Sequence, residues 1–206
     1  TPYFQRPLDL GADIVIHSGT KYLCGHNDVL VGFTVAKDPV IADKLRLIYK
    51  TTGACPGALD AWLVIRGIKT LPLRMEQHQK NAFAIAKWLQ EQPRVQYVLY
   101  PGLENHPGYE INKAQTTGFG GVISFAVDNA ETARQILEGV KLIKFAESLG
   151  GTESLITYPI RQTHTDLTAE ECAEKGITDC LLRFSTGIEA TQDLIDDLAQ
   201  AFAAIE

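Results

Sequence analysis

No apolar run in this sequence approaches the roughly 20 residues that a membrane-spanning helix needs. The first residues lack the pattern of a signal peptide. Basic residues are outnumbered, and the net charge of −6 argues against a nucleic-acid binder, which carries a basic surplus or stripe. Cys24, Cys55, Cys172 and Cys180 form no Cys-x-x-C pair, so they read as reduced residues of a cytoplasmic protein, with oxidised pairing as the lesser alternative. No internal repeat or low-complexity linker occurs. At 206 residues, 45% hydrophobic and 21% charged, the chain has the composition of a globular protein and enough length for one or two cores.

Periodicity gives a coarse outline. Ile14-Val15-Ile16 and Val29 to Val35 are short, apolar and β-branched, as buried strands are. Pro39 suits the first turn of a helix through Leu47. A helical pattern runs from Gly57 through Leu59, Trp62, Leu63 and Ile68, and Pro72 breaks it. Met75, Ala82, Ile85 and Leu89 share one face of the next helix, which Pro93 stops. Val95, Tyr97 and Leu99 alternate, as do Ile123, Phe125 and Val127, which predicts two strands. A helix over 130–137 precedes a strand near 142–145. Thr168 and Glu171 have capping-box spacing, and a last helix from Thr191 turns Leu194, Ile195, Leu198, Phe202 and Ile205 inward.

Lys21 follows the first strand in the run His17-Ser18-Gly19-Thr20-Lys21-Tyr22. A lysine placed against buried surface sheds its proton more easily, and the free amine can form a Schiff base with an aldehyde cofactor. Ser18 and Thr20 would then donate to a phosphate. The short pattern alone also fits a surface lysine. Arg183 lies in the segment Leu181 to Ser185, where Leu182 and Phe184 face one way and Arg183 the other. A strand holds its planar fork rigidly enough to grip a carboxylate, although a solvated arginine on a half-exposed sheet has the same pattern.

Longer blocks carry more information. Thr1-Pro2-Tyr3-Phe4-Gln5-Arg6-Pro7-Leu8 precedes the Lys21 run and Gly25-His26-Asn27-Asp28-Val29. Arg66-Gly67-Ile68-Lys69-Thr70-Leu71, Tyr100-Pro101-Gly102-Leu103 and Gly118-Phe119-Gly120-Gly121 follow. Ala146-Glu147-Ser148-Leu149-Gly150-Gly151-Thr152-Glu153-Ser154-Leu155 and Leu182-Arg183-Phe184-Ser185-Thr186-Gly187-Ile188-Glu189 complete the series. In this order the blocks resemble the pyridoxal-phosphate-dependent enzymes of cysteine and methionine metabolism, over essentially the whole chain. These include the cystathionine γ-synthases, the cystathionine γ- and β-lyases, the methionine γ-lyases and the O-acylhomoserine sulfhydrylases.

The resemblance implies an α/β fold of the aspartate-aminotransferase-like kind (fold type I). Residues 1–55 would be the C-terminal part of the large cofactor domain, 56–75 a connecting helix, and 76–206 a small α+β domain. It implies pyridoxal 5'-phosphate held by Ser18, Thr20 and Lys21, with Lys21 as the Schiff-base lysine and catalytic proton carrier. Arg183, assisted by Ser148, would grip the substrate's α-carboxylate, with Thr163 nearby. It also implies a cytoplasmic homotetramer, a dimer of dimers with its sites at subunit interfaces and amino acids as substrates. The family's pyridine-nitrogen carboxylate, its ring-stacking aromatic and its Tyr-x-Arg phosphate clamp lie upstream of the part that resembles this chain. The chain is therefore expected to be a C-terminal half, and a non-catalytic half that assembles with its missing N-terminal partner is the alternative of another class.

Glu147 before Ser148, together with Tyr158-Pro159 and Gln162-Thr163-His164-Thr165-Asp166, most resembles the bacterial cystathionine γ-synthases, with the lyases close behind. Glu147 could receive the ammonium of a distal amino acid, or serve only as a structural cap or ion-pair partner. Weaker features have simpler readings. His164 and Asp166 lack a third metal ligand at suitable spacing, so no metal site is expected. His17 and His26 read as hydrogen-bonding residues beside the lysine loop, and His78 as a core or interface residue. Gly118-Phe119-Gly120-Gly121 precedes a strand, not a helix, and is no phosphate-binding fingerprint. Ser18-x-x-Lys21 would suit an acylating serine enzyme, but the Ser-Asp-Asn and Lys-Thr-Gly tripeptides are absent.

Overall fold

Two antiparallel strands, β1 (Ile14–Ser18) and β2 (Gly32–Ala36), enclose the lysine turn in the computed structural model, which describes residues 1–163 and 165–205. The segment carrying β2 was expected to be buried, as was β1. Instead Ile14, Ile16, Leu30 and Val35 are exposed, and Ile16 retains 77% of its accessible surface. A β-branched run marks a strand, but burial also needs a layer on top. Two small cores form here: Val29, Cys24 and Val64, with Val31, Phe33 and Leu63 around them, and Phe4, Leu23, Leu71 and Met75, with Tyr22 and Phe33 against them.

Asp38 caps α1 (Pro39–Thr52) by accepting from Val40 N at 2.6 Å and Ile41 N at 3.1 Å. Gly53, in the left-handed region, ends it five residues beyond the expected Leu47. Helix α2 (Ala58–Ile68) is separated from α3 (Leu71–Gln90) just before Pro72, where the ring fits a helix's first turn. The expected connecting helix over 56–75 is therefore two helices that meet at Lys69–Thr70.

The second sheet has the order β3-β4-β7-β6-β5, from β3 (Val95–Leu99), β4 (Val122–Val127), β5 (Lys144–Phe145), β6 (Leu155–Thr157) and β7 (Leu181–Ser185). All pairs are antiparallel except β5 with β6. Ile123, Phe125, Leu182 and Phe184 pack into one core with Ala82, Ile85 and Leu89 of α3. Ala133 and Ile136 of α5 (Ala130–Gly139) and Leu194 and Leu198 of α7 (Thr191–Ala203) complete that face. The Thr168–Glu171 capping box opens α6 (Ala169–Glu174) as expected. Thr191 begins α7, but its hydroxyl donates to Asn81 Oδ1 at 2.6 Å and does not cap the helix.

Helix α4 (Tyr109–Gln115) and strand β6 carried no recognised signal. The alternation of Val95, Tyr97 and Leu99 does not survive as one face. A register shift between Val95 and Tyr97 turns Val98 inward and leaves Tyr97 and Leu99 exposed. Across the sheet, Ser124, Arg183 and Thr157 are Cα partners, so they form a polar row on the face away from Leu182 and Phe184.

Candidate active site

Lys21 is the centre of a five-residue π-helical turn, Gly19–Leu23, placed directly after β1. Its backbone leaves helical geometry, with φ −92° and ψ −133°, and Cys24 N closes the turn on the Gly19 carbonyl at 3.0 Å. Helix α2 runs against this turn so closely that a Cβ at Gly67 would overlap the Cys24 carbonyl.

Lys21 Nζ donates to Ser148 Oγ at 3.0 Å, across 127 residues of sequence. Ser148 has φ +89°, a left-handed conformation that costs a serine energy and persists where surrounding contacts enforce it. Arg183 Nη2 donates to the Ser148 carbonyl at 2.9 Å and to Thr157 Oγ1 at 3.1 Å. The Thr157 hydroxyl in turn donates to the Ala146 carbonyl at 2.9 Å, and Gly150 N donates to Ser185 Oγ at 2.9 Å. The 146–150 segment is thus pinned to β6 and β7 while it joins the lysine to the arginine. Arg183 Nε is buried without a partner. Burial draws the guanidinium below its usual range, opposed by the charge of Glu147.

A cavity of about 580 Å³ opens at this junction, lined by Thr20, Ser148, Glu147, Asp28, Asp60 and Leu30 among others. Thr20 Oγ1 accepts from Val31 N at 3.1 Å. Ser18, exposed at the end of β1, and Thr163, in the turn after Arg161, are outside that lining, as are Lys21 and Arg183, which reach it through Ser148. His164 lies outside the described residues. Among the described residues no group of three His, Cys, Asp or Glu side chains could hold a metal, and no helix is long and apolar enough to cross a membrane.

Sequence reasoning missed Thr157, whose strand is three residues long and too short to show alternation. It also missed Arg74, whose buried guanidinium touches the turn carrying Lys21. His26 Nδ1 lies 2.8 Å from the Cys24 carbonyl and donates to it beside the loop, as expected.

His78 is fully buried, with Nδ1 donating to the Thr186 carbonyl at 2.7 Å. Burial pushes its pKa down to about 4. A histidine near 6.5 when unfolded and near 4 when folded binds more protons unfolded within that window. Stability present above pH 6.5 is therefore lost as the pH falls toward 4, by at most on the order of 3 kcal/mol. His78→Asn retains a donor near Nδ1 and removes the titration. Its unfolding midpoint, followed by circular dichroism across this window, should decline less than that of the parent protein. Parallel declines would assign the acid sensitivity to other groups.

Residues 1–203 match the family described as Cys/Met metabolism PLP-dependent enzyme. The chain is 50% identical over 205 residues to cystathionine gamma-lyase of Bacillus subtilis, covering 100% of this chain and 54% of that protein. It is 52% identical over 206 residues to cystathionine gamma-synthase of Haemophilus influenzae, covering 100% of this chain and 52% of that protein. A crystal structure of cystathionine gamma synthase from Xanthomonas oryzae pv. oryzae, in complex with aminoacrylate and cysteine, superposes with a TM-score of 0.95 at 43% identity. The match covers 100% of this chain and 54% of that one. The chain spans about half the length of the curated relatives it matches.

Proposed function

The chain belongs to the Cys/Met metabolism PLP-dependent enzymes, and from that premise we propose that the protein joins an O-acylhomoserine to cysteine by γ-replacement, as a cystathionine γ-synthase does. The observation that carries the reading is the bridge at Ser148, whose hydroxyl meets Lys21 and whose carbonyl meets Arg183. An amine and a rigid guanidinium held by one residue, itself part of a cavity wall, suit an α-amino acid, which presents its nitrogen and its carboxylate one carbon apart.

The donor set fits the cofactor of the family. Lys21 offers the amine, and Thr20 Oγ1 accepts from Val31 N at 3.1 Å and donates only at a long 3.5 Å to the Val31 carbonyl, a proton that a phosphate could take instead. Ser18 would turn toward the same phosphate from the end of β1. When bound, pyridoxal phosphate supplies an electron sink at the substrate's Cα.

The chain's own residues then divide the work. Arg183 holds the α-carboxylate, and its unpartnered Nε would gain an acceptor there. Ser148 steadies the Lys21 amine between proton transfers. Lys21 Nζ takes the proton from Cα, gives it up to become a free amine again, and then takes one from Cβ as the acyloxy group departs from Cγ as a carboxylate. The cysteine sulfur bonds to Cγ after losing its proton, and protons return to Cβ and Cα. Glu147, exposed on the cavity rim with Asp28 and Asp60 nearby, would receive the ammonium of the incoming cysteine. Thr163 would approach from the turn beyond β6.

Elimination by a γ-lyase or β-lyase could draw on the same residues, and the identities of this chain to the lyase and the synthase, 50% and 52%, are nearly equal. Product analysis separates these reactions. Holoenzyme given O-acylhomoserine and cysteine should accumulate cystathionine, and given cystathionine alone should release little ketoacid. Rapid ketoacid release from cystathionine would assign the protein to the lyases. A homotetramer with sites at its interfaces, completed by an N-terminal half, is part of the same proposal. The exposed β1–β2 ribbon and Leu59, Trp62 and Ile65 of α2 offer apolar surface for that half to cover.

A further inference from the structure

We propose that Arg74 is a positioning residue that locks the lysine turn onto helix α3, an inference that rests on the reading of Lys21 as the cofactor lysine. Arg74 retains only 3% of its accessible surface, yet among the described residues it meets no carboxylate. Nη1 donates to the Tyr22 carbonyl at 2.7 Å, and Nη2 donates to Gly67 O at 2.9 Å and, at the longer distance of 3.5 Å, to Leu23 O. Nε donates to Thr70 Oγ1 at 3.0 Å. One planar fork therefore ties together the turn immediately after Lys21, the last turn of α2 and the start of α3.

A buried cation without an anion is costly, so it persists only where its hydrogen bonds are complete. Here three of the four are directed at backbone carbonyls, those of Tyr22, Leu23 and Gly67, and the fourth at the Thr70 hydroxyl. The surrounding chain is shaped to this group: Gly25 has φ +76°, and a Cβ there would overlap the guanidinium.

The same stripe of α3 holds the other half of the site. One turn on, His78 donates to Thr186 O at 2.7 Å. Almost another turn on, Asn81 Nδ2 donates to Gly187 O at 3.0 Å and Glu189 O at 2.9 Å. Thr186 to Glu189 directly follow β7, which carries Arg183. Helix α3 thus grips the lysine turn with Arg74 and the end of the arginine strand with His78 and Asn81. The spacing between amine and guanidinium is set by a rigid helix as well as by the contact at Ser148.

Arg74→Lys keeps the charge but cannot reach three segments at once. Thr70→Ala removes one anchor and leaves the buried charge in place. Hydrogen–deuterium exchange of the holoenzyme and of the cofactor-free protein reads the turn without reference to turnover. In Arg74→Lys, amides of residues 19–25 should exchange about tenfold faster or more, while those of β4 and β7 hold. Thr70→Ala should shift the same segment less. In the holoenzyme, kcat should fall about tenfold with KM within about threefold of the parent, and the visible absorbance of the bound cofactor should titrate at a different pH. Unchanged exchange over 19–25 in both variants overturns the proposal. So does a rise spread equally over the sheet in Arg74→Lys when Thr70→Ala leaves residues 19–25 unchanged. If borohydride fixes the cofactor on a lysine other than Lys21 while the exchange result holds, the clamp stands and the cofactor reading fails.

Discussion

Lys21→Ala in the holoenzyme should reduce turnover by roughly a thousandfold or more, since a positioned proton carrier contributes about 10²–10⁴ and covalent attachment of the cofactor is lost as well. Lys21 is half-buried, and among the described residues its side chain hydrogen-bonds Ser148 Oγ alone, so removing it should leave the fold intact. Circular dichroism and the unfolding midpoint should match the parent, which separates lost chemistry from lost structure. Borohydride reduction followed by peptide mapping gives the direct test. In the parent protein the cofactor should be fixed on the peptide containing Lys21, and in Lys21→Ala on none. Recovery of the label on Lys37 or Lys69 would remove Lys21 from its assigned role.

The strand and turn around Lys21 were legible because their signal is local. A β-branched run, two hydroxyls, a glycine and a lysine occur within eight residues, and the structure gives them one strand and one turn. The face of α3 was legible for the same reason, since Met75, Ala82, Ile85 and Leu89 keep helical spacing and all are buried. Features set by distant partners left no such mark. Nothing near Val95 announces the register shift that turns Val98 inward, because it arises from pairing with β4. Burial of β1 was misjudged because apolar content reports what a strand can bury and not what lies over it. Ser148 was expected beside the substrate, but its left-handed backbone and its double role depend on contacts with residues 21 and 183. Thr157 and Arg74 were missed because a threonine in a short strand and an arginine in an amphipathic helix look ordinary until their partners are known.

Arg183→Lys tests the other end of the substrate. The native guanidinium is held by the Ser148 carbonyl at 2.9 Å and Thr157 Oγ1 at 3.1 Å through the same nitrogen, Nη2. Those two bonds fix the plane of the fork and leave its other nitrogens to the ligand, including the buried Nε that has no partner. A lysine ammonium keeps the charge, but with two of its three donors on Ser148 and Thr157 it leaves one for a carboxylate, where the arginine leaves Nε and Nη1. Loss of one charge-assisted hydrogen bond, about 1.5–3 kcal/mol, corresponds to a rise in substrate KM of roughly tenfold to a hundredfold. Cofactor content and its visible absorbance should be unchanged, since Ser18, Thr20 and Lys21 are untouched. The companion change Thr157→Val removes the hydroxyl beneath the guanidinium and should raise KM in the same direction by less. Steady-state kinetics on O-acylhomoserine, with cofactor content measured on the same samples, distinguishes the outcomes. If KM in Arg183→Lys stays within about twofold of the parent, the carboxylate is bound elsewhere. If KM and cofactor content deteriorate together, Arg183 supports the architecture of the cofactor site and is not the group that grips the substrate.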